Sequence, residues 1–514
     1  MCGFFSSTTL LVFVITCVVA RLVLTKTTKS SGKLPPGPWA WPVVGNLPAI
    51  LYGGQPHRAL AGLAAKFGPL MTVSVGPSSK VVVLSSAPVV KKVLVENASF
   101  TSDRRIPPLL ELAFSTKGSV IFENGTTWKT HRRIVLSGFR KGLSSSSAFN
   151  TTLKSSLLHL RYQLMLRENQ QCQPSAEISA AIAEIVSSLC FGHCLDVRTN
   201  ADIAEALAAV ESMSRGLSGV SLAHIFPRLF YTPLYSKLRR DIDKFKSILK
   251  TIVGNHQNQV RDGVPIHEDI VDLYLKETSR RDENGAKSEF DADDIWRAMF
   301  DLLGAGTGTT SETLMWGILF MCLNPSVQKR VQKELDSHTV SDDPNDVILL
   351  DRRASLPFTH AAVLELLRCS CVAPLSLPRV TSRDVTLMDY TIPSGTELWV
   401  NEWAINRDPN VWTDPDEFKP DRFLDDAGKV DRGSRDAIVV FGEGRRKCLG
   451  RNLAETMLFS YFSNIFRWFE FRFPDDGRAL PNVNEGNFGL TYSPPPYEVI
   501  ITPRNLNSQS SKSS

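Results

Sequence analysis

The segment Phe441-Gly-Glu-Gly-Arg-Arg-Lys-Cys448-Leu-Gly450 gathers residue types suited to redox chemistry. Gly442, Gly444 and Gly450 let the backbone take positive φ and approach a flat group. Cys448 is expected at the start of a helix running from Leu449 to about Phe466, where free N–H groups and the helix dipole favour a thiolate. Arg445, Arg446 and Lys447 add positive charge suited to acidic groups. A thiolate held by backbone donors is what a haem iron needs from a cysteine ligand. The loop alone also fits a structural cysteine in a glycine turn.

A second segment, Gly304-Ala-Gly-Thr-Gly-Thr-Thr-Ser311, sits mid-way in an apolar helical run. The run starts at Asp291 or Asp293, either of which can cap it, and stops near Leu323, before Pro325. Glycine inside a helix costs about 1 kcal/mol relative to Ala. Such a stretch marks close helix packing or a local opening for a small molecule such as dioxygen.

The cysteine segment has the form F-x-x-G-x-R-x-C-x-G and resembles the haem-binding loop of the cytochromes P-450, the haem-thiolate monooxygenases. The resemblance implies that Cys448 is the axial iron ligand, that Arg446 pairs with a haem propionate, and that Phe441, Gly450 and Ala305 border the haem. Supporting motifs follow in the family's order. Trp128-Lys-Thr-His-Arg132 resembles W-x-x-x-R, with both side chains expected at one propionate. Glu365-Leu-Leu-Arg368 resembles E-x-x-R, whose spacing places both charges on one helix face. Arg379, in Leu377-Pro-Arg379, stands where the family reaches the other propionate. Pro420-Asp-Arg-Phe423 resembles P-E-R-F with Asp for Glu, and implies a buried carboxylate–arginine network behind the haem.

The glycine helix matches the family's A/G-G-x-D/E-T-T/S at Ala305, Gly306, Thr309 and Thr310. The resemblance makes Thr309 the hydroxyl that guides protons to dioxygen. The acidic position is Gly308, which puts the usual proton route in doubt. Glu312 follows Gly308 by four residues and Thr309 by three, so it shares their helix face. Glu312, or water filling the space at Gly308, is the candidate substitute.

Other patterns are weak. Cys190-Phe-Gly-His193-Cys194 and Cys369-Ser-Cys371 lack the partners of a zinc site and read as helix-end and core cysteines. His267-Glu268 lacks the second His of a metalloprotease helix, and no G-x-S-x-G occurs. Asn97, Asn124 and Asn150 head glycosylation sequons. Lys129, Arg133, Arg140, Lys141, Arg445, Lys447 and Arg451 flank the two haem segments. By the resemblance they offer a basic face to an acidic, flavin-containing NADPH-cytochrome reductase, as charge steering would require.

These residues need a framework that positions them. The 514 residues carry a net charge of +5, yet residues 1–95 hold nine basic residues and no acidic one. The rest is mildly acidic, which excludes a uniformly basic nucleic-acid binder. Hydrophobic residues at 43% and charged ones at 22% describe a globular chain. Nine scattered cysteines in so long a chain argue against a disulfide scaffold. Residues 1–24 are apolar enough for a membrane anchor, and Arg21, Lys26, Lys29 and Lys33 follow it, which keeps the rest cytosolic. Residues 25–42 form a basic, proline-rich hinge, 43–505 the catalytic domain and 506–514 a tail. Strands are expected at Leu70–Val75, Lys80–Ser85, Val385–Leu387 and Glu397–Val400, with helices over most of 126–335.

The expected fold is mainly α with small β-sheets: a cytochrome P-450 fold with a long central helix over haem b. The implied activity is that of an endoplasmic reticulum monooxygenase with a single-pass anchor, oxidising a lipophilic substrate such as a steroid or aromatic xenobiotic. A haem-thiolate isomerase or dehydratase acting on a peroxide, or an inactive haem-binding protein, are the alternatives.

Overall fold

Val81, Val82, Val83 and Leu84 are all fully buried. Successive strand residues point to opposite faces, so this strand must be covered on both sides. It is central in a four-stranded sheet. Leu70–Val75 pairs antiparallel with Ser79–Leu84, and Glu397–Val400 lies parallel on its other side, with Val81 opposite Glu397. Arg379–Val380 closes the sheet, Arg379 opposite Leu398. One face, with Val82, Leu84, Leu398 and Val400, packs on Val89, Val93, Leu94 and Ile405. The other, with Met71, Val73, Val81 and Val83, packs on Ile50 and Leu60.

The structure is a computed structural model that describes residues 16, 33–76, 79–114, 118–144, 146–192, 227–262, 269–283, 294–338 and 345–504. Apart from Thr16, the expected anchor lies outside them, as do the tail, His193, Cys194, His267 and Glu268. Among the described residues no helix is long and apolar enough to cross a membrane. The chain forms two compact units. The first draws on Met1–Arg105, Ala373–Pro415 and Val439–Lys447; the second on Ile106–Val372, Asp416–Ile438 and Cys448–Ser514.

The first unit contains the sheet just described. Its proline-rich segment is tied down rather than free. Thr391 N donates to Lys33 O at 3.0 Å and Thr72 N to Pro36 O at 2.8 Å. A Cβ on Gly37 would stand 1.8 Å from Thr72 O, so only glycine permits that approach. Ser86 precedes the helix Ala87–Val90, without a side-chain cap bond, and the chain continues as a π-helix over Lys91–Glu96.

The second unit is built around the helix Ile295–Leu323. Its 29 residues span about 44 Å. The expected caps Asp291 and Asp293 lie outside the described residues, and Asp294 at the N-cap makes no side-chain cap bond. Its neighbours are the helices Ser175–Phe191, Ser236–Arg261, Pro325–Ser337, Pro357–Ser370 and Arg451–Trp468. Asn324 ends it, and Pro325, which cannot donate a helix hydrogen bond, opens the next helix. A three-stranded sheet of Gln171–Cys172, Val499–Pro503 and Phe469–Arg472 lies in the same unit.

The expected charge network is present in this unit. Glu365 and Arg368, both fully buried, join through Nε to Oε2 at 2.7 Å and Nη2 to Oε1 at 2.8 Å. Arg422 Nε and Lys419 N also donate to Glu365 Oε1, at 3.1 and 2.8 Å. Burial pulls the Arg368 guanidinium down, but the hydrogen bond to Glu365 leads a set of effects that leave its pKa above the ordinary value. Asp421 stands outside the network: it accepts from Arg330 at 2.7 Å on the exposed surface. Asp for Glu in that motif therefore leaves the buried network intact.

Removing one partner of a buried pair strands the other charge. Arg368→Met is expected to cost about 3–5 kcal/mol in urea unfolding of the full chain. Asp421→Ala, which breaks only a surface pair, should stay within about 1 kcal/mol.

Candidate active site

The long helix is buried along most of its length but open along one stripe. Residues 301–303 and 313–322 are buried; between them Ala305 is exposed, and Gly304, Gly308, Thr309 and Glu312 are half-buried. These positions recur at three- and four-residue steps, so they lie on one face. A Cβ added to Gly304 or Gly308 would meet nothing within 4 Å. Gly306 differs: its Cβ would meet the Val186 methyls at 3.1 and 3.2 Å. The two readings of the glycine run thus divide by residue. Gly306 serves helix packing, and Gly304 and Gly308 border open space.

On this stripe the Thr309 hydroxyl donates to Ala305 O at 2.7 Å. Its own carbonyl accepts from the Thr313 hydroxyl at 2.8 Å. Upstream, Asp301 is buried and accepts from Ser119 Oγ at 2.7 Å and Ile121 N at 3.1 Å, and pairs with Arg297. This ties the segment near Phe114 to the helix, where Phe114 and Phe300 rings lie 4.4 Å apart and Phe245 and Phe300 5.2 Å. Sequence reasoning missed Arg297 and Asp301. Two charges four residues apart in an apolar helix were the available signal.

The thiol of Cys448 is exposed, whereas Cys190, Cys322, Cys369 and Cys371 are buried. Cys448 lies two residues before Gly450, the N-cap of Arg451–Trp468, so that helix starts slightly later than expected. Gly450 has φ −87°, so its expected positive φ is not found; the backbone there is open to other residues. Burial pulls the Arg132 pKa down and the nearby Cys448 opposes it, which places a cation within electrostatic reach of the thiol. Trp128 is buried on the same helix, with the Arg132 guanidinium 5.8 Å from its ring.

The first unit carries the remaining expected residues. Arg446 is buried, its Nε donating to Ser102 O at 2.9 Å. Arg379 is buried, its Nη2 3.4 Å from Glu443 O. Phe441 is half-buried. Gly442 and Gly444 take φ of 67° and 73°. A Cβ on Gly444 would stand 1.9 Å from Leu94 O, so this glycine seats the loop on the π-helix. Glu402, which sequence reasoning missed, is 1% exposed and borders Arg379 and Gly442.

In the first unit, buried Arg379 and Arg446 are cations suited to the carboxylates of a ligand. In the second, accessible Cys448, with Arg132 in reach, is a thiol suited to a metal. Gly304 and Gly308 leave space that a Cβ would fill. Of the basic residues beside these segments, Arg133 pairs with Glu277 and Arg451 with Glu455, each at 2.8 Å. Lys129, Arg140, Lys141, Arg445 and Lys447 are exposed, Arg445 bonding Ser99. Cys190 is raised by burial, and Cys369 accepts from Arg368 at 3.0 Å, as core cysteines do.

Comparison with known proteins agrees with this chemistry. The family model for cytochrome P-450 matches residues 35–501. The chain is 33% identical over 500 residues to cytochrome P-450 2U1 of Homo sapiens, covering 92% of this chain and 89% of that protein. It is 30% identical over 465 residues to cytochrome P-450 1A1 of Canis lupus familiaris, covering 86% and 85%. It is 29% identical to cytochrome P-450 2J2 of Homo sapiens over 475 residues, covering 91% of each.

The glycine contrast is testable. Gly308→Ala should stabilise the full chain by about 1 kcal/mol in urea unfolding, through helix propensity alone. Gly306→Ala should show no such gain, because Val186 must move. Equal gains at both sites would contradict the packing assigned to Gly306.

Proposed function

This chain belongs to the cytochrome P-450 family, oxidoreductases that bind haem through a cysteine thiolate, and on that premise we propose that it is a membrane-bound monooxygenase taking electrons from NADPH-cytochrome reductase. The observation that carries this reading is the accessible Cys448 within electrostatic reach of Arg132, in a loop whose glycines and buried Arg446 hold its form. Cys448 would ligate the iron. Trp128, Arg132, Arg379 and Arg446 would hold the propionates, and Ala305, Phe441 and Gly450 would border the ring.

Haem with a thiolate ligand supplies dioxygen activation, the thiolate favouring O–O cleavage. Two electrons and two protons convert one oxygen atom to water while the other enters a C–H bond of the substrate. The protein's task is to deliver the protons and keep stray water out. Thr309 turns its hydroxyl from Ala305 O toward the open stripe and passes a proton along it. Gly308 supplies no acid, so Glu312, one turn on, recharges that hydroxyl directly or through water beside Gly308.

The substrate is lipophilic, such as a steroid or aromatic xenobiotic. Support comes from segments around Trp128, Pro378 and Trp399–Trp403 that resemble steroid- and xenobiotic-oxidising members. Residues 1–24 anchor the protein in the endoplasmic reticulum, 25–42 form the hinge, and 43–505 the cytosolic catalytic domain. Exposed Lys129, Arg140, Lys141, Arg445 and Lys447 steer the acidic reductase.

The reduced protein should give a thiolate-type carbon monoxide difference spectrum that Cys448→Ser abolishes. With reductase and NADPH, Thr309→Ala should keep the spectrum but yield at least about tenfold less product per NADPH. Glu312→Gln should also lower that yield; an unchanged yield removes Glu312 from the relay. Turnover of a peroxide without NADPH would assign the chain to the isomerases or dehydratases instead. A normal spectrum without dioxygen consumption would make it a carrier.

A further inference from the structure

Glu402 opens the short helix Glu402–Ile405 in the first unit. Asn401 fixes that helix, its Oδ1 accepting from Ala404 N at 3.1 Å and its Nδ2 donating to His57 O at 2.8 Å. The Glu402 side chain is therefore held, not solvated: it is 1% exposed. The Gly442 backbone N–H faces the carboxyl. Its other oxygen, Oε2, is buried with no hydrogen-bond partner. An ionised carboxylate with one bare oxygen in an interior is costly, whereas a protonated one needs only an acceptor for its O–H.

The charges that face Glu402 are mixed. Arg379 favours ionisation and Glu443 opposes it. The neighbouring helix Pro56–Phe67 brings His57 and Arg58, and Arg58 and Arg407 both stack on the ring of Trp403, the residue after Glu402. His57 is pushed down to about 3, by burial first and then by Arg58 and Arg407, so it stays neutral. Burial dominates at Glu402 and raises its pKa to about 8.

We propose that Glu402 carries a proton at neutral pH and donates it to the haem carboxylate that Arg379 serves, a positioning role that rests on the haem-thiolate reading above. Arg379 supplies that carboxylate with charge, and Glu402 supplies the hydrogen bond without adding a second negative charge beside it. When Glu402 loses its proton, a new anion appears next to the haem carboxylate. An added anion favours ferric over ferrous haem, so the reduction potential falls as pH rises.

The test is the haem midpoint potential of the detergent-solubilised full chain between about pH 6 and about pH 9. The wild type should show a downward step. Glu402→Gln, which keeps a donor but cannot titrate, should give a flat profile near the wild type's low-pH value. Persistence of the step in Glu402→Gln, or no step in the wild type, overturns the proposal. Should Glu402→Gln fail to load haem, infrared titration of the wild type decides. A protonated-carboxyl band must vanish with the same midpoint as the potential step, and a band that does not overturns the proposal. The carbon monoxide spectrum, recorded on the same samples, tests the haem-thiolate reading separately: a normal spectrum with an unmoved pH profile sinks only the role of Glu402.

Discussion

The Glu365 carboxylate is the fixed point on which the loop-rich part of the chain depends. It is completely buried, yet it accepts from Arg368, Arg422 and Lys419 N. Arg368 Nη2 also reaches Glu417 O at 3.1 Å. Residues 416–423 have little regular structure to satisfy their backbone groups, so side-chain charges replace a ladder. A buried pair is weak evidence for net stability but strong evidence for a defined geometry, because each ion is costly without its partners. The neighbouring stretch uses the same device in neutral form. Asn406 Nδ2 donates to Val439 O at 2.7 Å and Asn406 Oδ1 accepts from Val439 N at 3.0 Å. The chain therefore enters 441–450 from a pinned position.

The long helix solves the opposite problem, being rigid along its length but unfilled at one place. Its apolar ends pack against neighbouring helices. In the middle, small residues replace large ones on the open side, while Thr307, Thr310 and Ser311 remain buried. Ser311 turns its hydroxyl back to Thr307 O at 2.8 Å, whereas the buried Thr307 hydroxyl has no hydrogen-bond partner. Thr309 makes the same kind of bond but sits on the open stripe. Its partner can be exchanged without stranding a buried group, which suits a hydroxyl that must rotate.

Legibility followed the range of the interaction. Glu365–Arg368 and Trp128–Arg132 lie within a helical turn of each other, so spacing alone placed each pair together. The strands Leu70–Val75, Val385–Leu387 and Glu397–Val400 were visible as short β-branched runs between turn residues. Gly444 was recognised as special, but its reason, the carbonyl of Leu94, is 350 positions away in the chain. Gly450 looked the same in sequence and proved ordinary in backbone conformation. Glu402 was invisible because Asn-Glu-Trp-Ala-Ile-Asn carries no motif; burial there comes from neighbours distant in sequence. The proline segment from Lys33 looked like a spacer, since backbone bonds to Thr72 and Thr391 leave no trace in its composition.

Two positions depart from the family's motifs, and the structure weighs them differently. Asp421 replaces a longer acid, but its carboxylate points to Arg330 at the surface, where chain length matters little. Gly308 replaces an acid on the accessible stripe itself, where a side chain would have room and no competing contact. The difference is one of surroundings, not of chemical conservatism. Asp for Glu is harmless because the carboxylate does not serve the network. Glycine for an acid changes the site because its position has no other source of that group within the same turn. Glu312, half-buried one turn further on, is the nearest acid along that stripe, so whatever proton traffic passes Thr309 must either use that longer path or run through water held against bare backbone.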